Sequence, residues 1–197
     1  AVPDLEIAQK FYGTFGLDVS ASADGQALLC NSPGRRGGEI VLVRGDHKRL
    51  HHLSFRIEPD LTEAFSRQIQ AAGIDVHTRA PAGWQRAGLW FEDPWGTWIN
   101  LSPQAAAQQP VIEMPDYNFG DAARRVDVNL WQTLDKTRKP LHIGHMLIFT
   151  AQWERAEKFY TDVLGLRTTD RAAGKVAFMA AGTGIIDHHC FGLINST

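Results

Sequence analysis

One motif occurs twice, at opposite ends of the chain. Asp4–Leu17 reads DLEIAQKFYGTFGL and Gln152–Leu166 reads QWERAEKFYTDVLGL. Glu6/Glu154, Ala8/Ala156, Lys10/Lys158, Phe11/Phe159 and Tyr12/Tyr160 stay in step, and Gly16-Leu17 returns as Gly165-Leu166 after one extra residue. Apolar residues in both copies recur at helical spacing, and each glycine falls where a helix ends on positive φ. A helix-and-turn unit repeated at so wide a separation is a duplication of whole modules rather than a short solenoid period.

A weaker third copy lies between them. RLHHLSFRI (Arg49–Ile57) alternates like a strand, LTEAFSRQIQAA (Leu61–Ala72) is helical and stops at Gly73, and IDVHTR is extended. GLWFEDPWGTWINL then gives two strands about Asp93-Pro94-Trp95-Gly96, with Pro second and Gly fourth in a type I turn. The last unit runs in the same order: strand Leu141–Phe149, helix Gln152–Leu164, and strands near Leu166–Asp170, Lys175–Ala181 and Asp187–Ile194. Each unit is thus a strand, a helix and three strands. The first lacks its opening strand, and the chain starts without Met, on a Pro3-Asp4 helix entry, and stops at LINST. Segments are therefore expected on both sides. Residues 102–140 keep no sustained period, a length better suited to a link than to a loop within a domain. The expected organisation is a two-module domain over 1–101, a link over 102–140 anchored by Trp131, and the first module of a second domain over 141–197.

Composition narrows the partners. Apolar residues make up 44% and charged ones 21%, and 20 basic side chains face 22 acidic ones, which excludes a disordered chain, a collagen and a long coiled coil. No basic block marks a nucleic-acid partner. No apolar run or charged-then-apolar leader marks a membrane or export segment, so a cytoplasmic protein is expected. Cys30 and Cys190 sit far apart in apolar stretches and are expected as two buried thiols. Of the eight histidines, all but His47 and His77 form close pairs: His51/His52, His142/His145 and His188/His189. If these pairs lie on strands, alternation sends the members of each to opposite faces. His145 would then share a face with Leu147 and Phe149, His189 with Phe191 and Leu193, and His52 with Ser54 and Arg56. His142 and His188 would make backbone or solvent contacts. Phe11/Tyr12, Phe159/Tyr160 and the tryptophans Trp84, Trp90, Trp95 and Trp98 are expected in cores, and Arg35-Arg36 in a tight turn.

FEDPWGTWINL as a closing hairpin, AEKFYTDVLGL as a helix-to-turn segment and the βαβββ order together resemble the vicinal oxygen chelate superfamily. It comprises glyoxalases, bleomycin-resistance proteins and type I extradiol dioxygenases, and the resemblance is greatest to the two-domain extradiol catechol dioxygenases. The resemblance implies an α+β fold of repeated βαβββ modules pairing into cupped mixed sheets, with three of four modules in this chain. It implies a ring-cleaving dioxygenase that inserts O2 into a catechol-type diol at non-haem Fe(II), or at Mn(II) on the same ligands. His145, in Gly144-His145-Met146, matches the first metal ligand. His189, in DHHCFGL, matches the acid/base histidine. The second His and the carboxylate ligand are expected beyond Thr197. Two imidazoles and one carboxylate on one side of an iron leave positions open for both diol oxygens and for O2, and a separate imidazole near neutral pKa can relay the diol proton. Domain one is expected to hold no metal, because Asn100 stands where metal-binding modules carry Glu. The partners implied are a small aromatic diol and O2, with no nucleic acid or membrane, in a homo-oligomer. A glyoxalase-like isomerase or lyase and a metal-free, bleomycin-resistance-like binding protein stay open as alternatives.

Overall fold

The structure is a computed structural model that describes residues 1–79, 86–104, 121, 139–182 and 188–197. Trp84, Trp131 and most of the 102–140 link fall outside the described residues.

Module one begins with helix α1 (Leu5–Phe15), whose first turn is capped by Asp4 Oδ1 accepting from the Glu6 and Ile7 amides at 2.9 and 3.0 Å. Gly16 closes the helix at φ 100°, and the Leu17 amide returns to the Tyr12 carbonyl at 3.1 Å. Strands β1 (Asp18–Ala21), β2 (Ala27–Asn31) and β3 (Ile40–Val43) follow as an antiparallel meander, and Val2 bridges Arg44 in parallel at the β3 end. Arg35-Arg36 lies in the β2–β3 connection, where the Arg35 amide donates to the Ser32 carbonyl and the guanidinium pairs with Glu39 at 3.3 Å.

Module two is β4 (Leu53–Ile57), α2 (Thr62–Ala71), β5 (Leu89–Glu92) and β6 (Trp98–Pro103). β6 runs two residues past the expected 1–101 boundary. The extended segment expected at IDVHTR contributes only one bridge, His77 to Trp90. Module three is β7 (Met146–Thr150), α3 (Trp153–Asp162), β8 (Arg167–Ala172), β9 (Val176–Ala180) and β10 (Phe191–Asn195). In α3 the extra residue of the repeat is absorbed in the closing turn: Leu166 N reaches Tyr160 O at 3.1 Å, one residue further along than in α1.

All three modules share one spatial order, in which the first strand lies parallel to the fourth, followed by the third and the second. Module three shows it in full as β7-β10-β9-β8. Module two replaces its second strand with the His77 bridge, and module one replaces its first with the Val2 bridge. Among the described residues the sheets of different modules share no strand pairing, so side-chain packing joins them.

That packing is one continuous cluster spanning modules two and three. Leu53, Ile69, Phe91 and Ile99 meet Phe159, Tyr160, Met179 and Phe191, all buried. Trp95 stands edge-on to Phe159 at 6.0 Å, and Phe55 edge-on to Phe191 at 5.8 Å. Gln68 Nε2 donates to the Asp162 and Val163 carbonyls, which end α3. At the centre Tyr160 donates its hydroxyl to Asp93 Oδ2 at 2.9 Å, while Asp93 Oδ1 accepts the Trp95 and Thr97 amides of its own turn. Burial, then the Asp93 charge, hold the Tyr160 phenol well above its ordinary pKa, so it stays a donor.

The two helix copies differ. Phe159 is buried, but Phe11 is 61% exposed beside exposed Ile7 and Phe15, which corrects its expected core placement. The opposite face of α1, through Leu5, Ala8 and Tyr12, meets its own sheet, and nothing among the described residues covers the Phe11 side. Met146 and Phe149 leave β7 as an apolar edge. No described helix is long and apolar enough to cross a membrane.

Tyr160→Phe is expected to lower unfolding free energy by about 1–3 kcal/mol, the cost of leaving a buried acceptor one donor short. Urea unfolding followed by tryptophan fluorescence measures it.

Candidate active site

β7 and β10 are parallel neighbours, with Met146 opposite Phe191 and the Met146 amide donating to the Cys190 carbonyl at 3.0 Å. Parallel neighbours begin at the same edge of a sheet, so the residues just before each strand meet there. His145 precedes β7, and His188-His189-Cys190 precede β10. This corrects the pleat argument: His142, His145, His188 and His189 all lie ahead of the strands, because β7 starts at Met146 and β10 at Phe191. Alternation does not set their directions; local contacts do.

Those contacts bring His145 and His189 together, with ring centroids 4.7 Å apart and planes 42° apart. The His189 imidazole is half-buried and also lies on the Phe178 ring, at 4.5 Å and 39°. His188 meets it edge-on, the two Nδ1 atoms 2.9 Å apart, so one nitrogen donates and the other accepts. His188 is exposed to solvent and also contacts this ring, and His142 meets backbone, its Nδ1 lying 3.0 Å from the Ile143 carbonyl. His145 is exposed on the margin of an open cleft of about 1540 Å³ that also reaches modules one and two. Cys30 is buried, its thiol pushed up to about 11 by burial, and Cys190 is only half-buried; neither forms a disulfide.

Phe178 and Gly192 escaped the sequence reading. A Cβ at Gly192 would fall 2.4 Å from Leu147 Cδ2 and 3.3 Å from Phe178 Cδ1. The glycine is what lets those two side chains close over β10. The available signal was a glycine inside an apolar strand, which marks close approach.

Module two holds a counterpart. Leu53 pairs with Ile99 as Met146 pairs with Phe191, so His52 stands before β4 as His145 stands before β7. It also lies ahead of its strand, so its expected alignment with Ser54 and Arg56 is replaced by contacts. Its Nδ1 is 2.8 Å from His51 Nδ1 and its ring lies 4.9 Å from Trp90. Burial first, then the charges of His51 and Arg86, bring His52 down to about 4. Asn100 is buried and occupied: it accepts from Ser54 Oγ at 2.8 Å and donates to the Leu89 and Ala87 carbonyls at 3.3 and 3.5 Å.

An exposed imidazole at the cleft margin suits a metal donor, and His145 has that placement. Among the described residues no three His, Cys, Asp or Glu side chains converge. The described chain therefore fits part of a ligand set, not a complete one.

Comparison with known proteins agrees with this architecture. Residues 142–191, which hold both His145 and His189, match the Glyoxalase/Bleomycin resistance protein/Dioxygenase superfamily. The three βαβββ modules agree with that match, and the fold is that of the vicinal oxygen chelate proteins. The chain is 30% identical over 202 residues to metapyrocatechase 2 of Cupriavidus necator, an alignment covering 100% of this chain and 59% of that protein. Its fold is similar to a Mn(II)-bound glyoxalase from Novosphingobium aromaticivorans (18% identity, TM-score 0.65, 98% of this chain and 58% of that one). It is also similar to the 2,2',3-trihydroxybiphenyl 1,2-dioxygenase of Sphingomonas wittichii RW1 (21% identity, TM-score 0.59, 94% and 59%). The chain thus spans somewhat under two thirds of these relatives.

His52 predicts a pH effect. With a folded pKa near 4 against 6.5 unfolded, the unfolded chain binds a proton that the native state refuses between those values. Stability therefore falls as pH drops from about 6.5 to about 4, by on the order of 3 kcal/mol. Urea titrations at pH 7.5 and 5 should show a smaller loss in His52→Gln than in the parent.

Proposed function

We propose that this chain forms part of an extradiol, meta-cleaving dioxygenase acting on a catechol-type aromatic diol at a non-haem Fe(II) centre, with Mn(II) able to serve on the same donors. The observation that carries the reading is the meeting of His145 and His189, ring to ring at one sheet edge, in a chain 30% identical to a metapyrocatechase.

His145 holds the metal through one neutral imidazole nitrogen, and the remaining ligands come from outside the described residues. When bound, the metal supplies the centre at which the two diol oxygens and O2 are brought together.

The rest of the chemistry belongs to His189. A diol must lose a hydroxyl proton to bind as an anion, and an imidazole can take that proton and return it at ring opening. Its partners fit that task. In the contact with His188 one Nδ1 donates and the other accepts, and the Phe178 ring covers one face of the imidazole. His189 stands close enough to His145 to reach a diol held there, without being needed as a ligand.

The test is a pair of variants of the metal-loaded protein assayed on a panel of catechols for a yellow ring-cleavage product. His189→Ala should keep its metal by elemental analysis and lose ring opening by about 10²–10⁴-fold. His145→Ala should lose metal and activity together. Equal metal loss in both would overturn this division of labour. Catechol binding without metal or turnover would point to a sequestering protein, and isomerisation without oxygen uptake to a glyoxalase-like enzyme.

A further inference from the structure

We infer that Phe178 is a positioning residue for His189, and that Gly192 exists in β10 to give its ring a seat; the inference rests on the acid/base role proposed for His189. Three rings surround that imidazole. His188 and His145 are both exposed. Phe178 is different: it is half-buried on β9, in a strand paired on both sides, opposite Gly192 on β10 and Asp170 on β8. It is the platform with a fixed backbone.

The platform depends on an absence. A side chain at position 192 would meet Leu147 Cδ2 at 2.4 Å, the Ala177 carbonyl at 3.3 Å and Phe178 Cδ1 at 3.3 Å. The first distance is far inside contact, and the backbone oxygen cannot give way. Even one methyl there would drive Leu147 off and tilt Phe178 from its place under His189. His189 lies ahead of its strand, and the Phe178 face is the part of its surroundings that belongs to a strand paired on both sides. Orientation of a proton carrier is worth a large factor in rate, since a misplacement of about 1 Å costs about 10²-fold.

The experiment compares Phe178→Leu, Phe178→Tyr and Gly192→Ala in the whole protein, with two readouts. Histidine-selective NMR of the metal-free protein should show the His189 ring protons shifted upfield by the Phe178 ring. Phe178→Leu and Gly192→Ala should remove that shift, and Phe178→Tyr should keep it. In ring-cleavage assays Phe178→Leu and Gly192→Ala should lower kcat by about 10- to 100-fold, with metal content unchanged and KM within about threefold, and Phe178→Tyr should restore kcat. An unmoved His189 resonance in Phe178→Leu overturns the inference, and so does a loss of kcat equal in the Leu and Tyr variants. If the parent cleaves no catechol, the proposed function has failed, while the NMR comparison still decides whether Phe178 orients His189.

Discussion

A buried carboxylate ties module three to module two within their shared core. Asp93 is only 4% exposed, inside the cluster that joins modules two and three. A charge so placed costs several kcal/mol unless its oxygens are met by donors. They are: two backbone amides of the β5–β6 turn on Oδ1 and the Tyr160 hydroxyl on Oδ2. The first two make the turn, and the third docks α3 against it. Because α3 connects β7 to the rest of its sheet, that hydrogen bond also sets where the β7/β10 edge stands relative to module two. The placement of His145 at the cleft is therefore downstream of a turn more than fifty residues earlier in sequence.

Duplication explains both what the modules share and where they part. Trp90 pairs with Asn100 on β5/β6, and Phe178 with Gly192 on β9/β10. In each module the aromatic ring carries an imidazole, His52 at 4.9 Å and His189 at 4.5 Å. The divergence lies opposite the ring. Module two fills that position with Asn100, whose amide is used up within its own sheet, and its half-buried histidine has its pKa brought down to about 4. Module three leaves the position empty with Gly192 and keeps His145 at the cleft margin. Both His52 and His145 line the cleft, the first half-buried and the second exposed.

Much of this was legible in the sequence, and what was not has a physical reason. The twin FY helices, the Asp4 cap, the glycine stops and the Asp93-Pro94-Trp95-Gly96 turn follow from local rules, and the Asp93–Gly96 hydrogen bond of 3.0 Å forms as that turn requires. Strand interiors were placed well and strand starts badly. β7 and β10 begin several residues later than their apolar runs, since pairing rather than hydrophobicity decides where a ladder begins. Directions inferred from alternation were lost with them. The exposure of Phe11 was invisible because its sequence matches that of buried Phe159; only the partner surface differs. Phe178 carried no local mark, and its role is a cross-strand relation that one chain read in order does not display.

The differing exposure of the two central imidazoles matches two different demands. Under the proposed roles, a metal donor needs an open approach, and an exposed residue just ahead of an edge strand has one. A proton carrier needs a fixed direction, since its transfer distance must hold to within tenths of an ångström. Its support must then come from a rigid element rather than from the loop on which it sits. The β9 strand, paired on both flanks, is such an element, and the glycine across from it lets a large ring lie flat where a smaller side chain would otherwise stand. The parallel first-and-fourth strand pairing of the module brings His145 and His189 to one edge. The antiparallel third strand then supplies the Phe178 ring beneath His189, so the βαβββ order gives one imidazole an open approach and the other a floor.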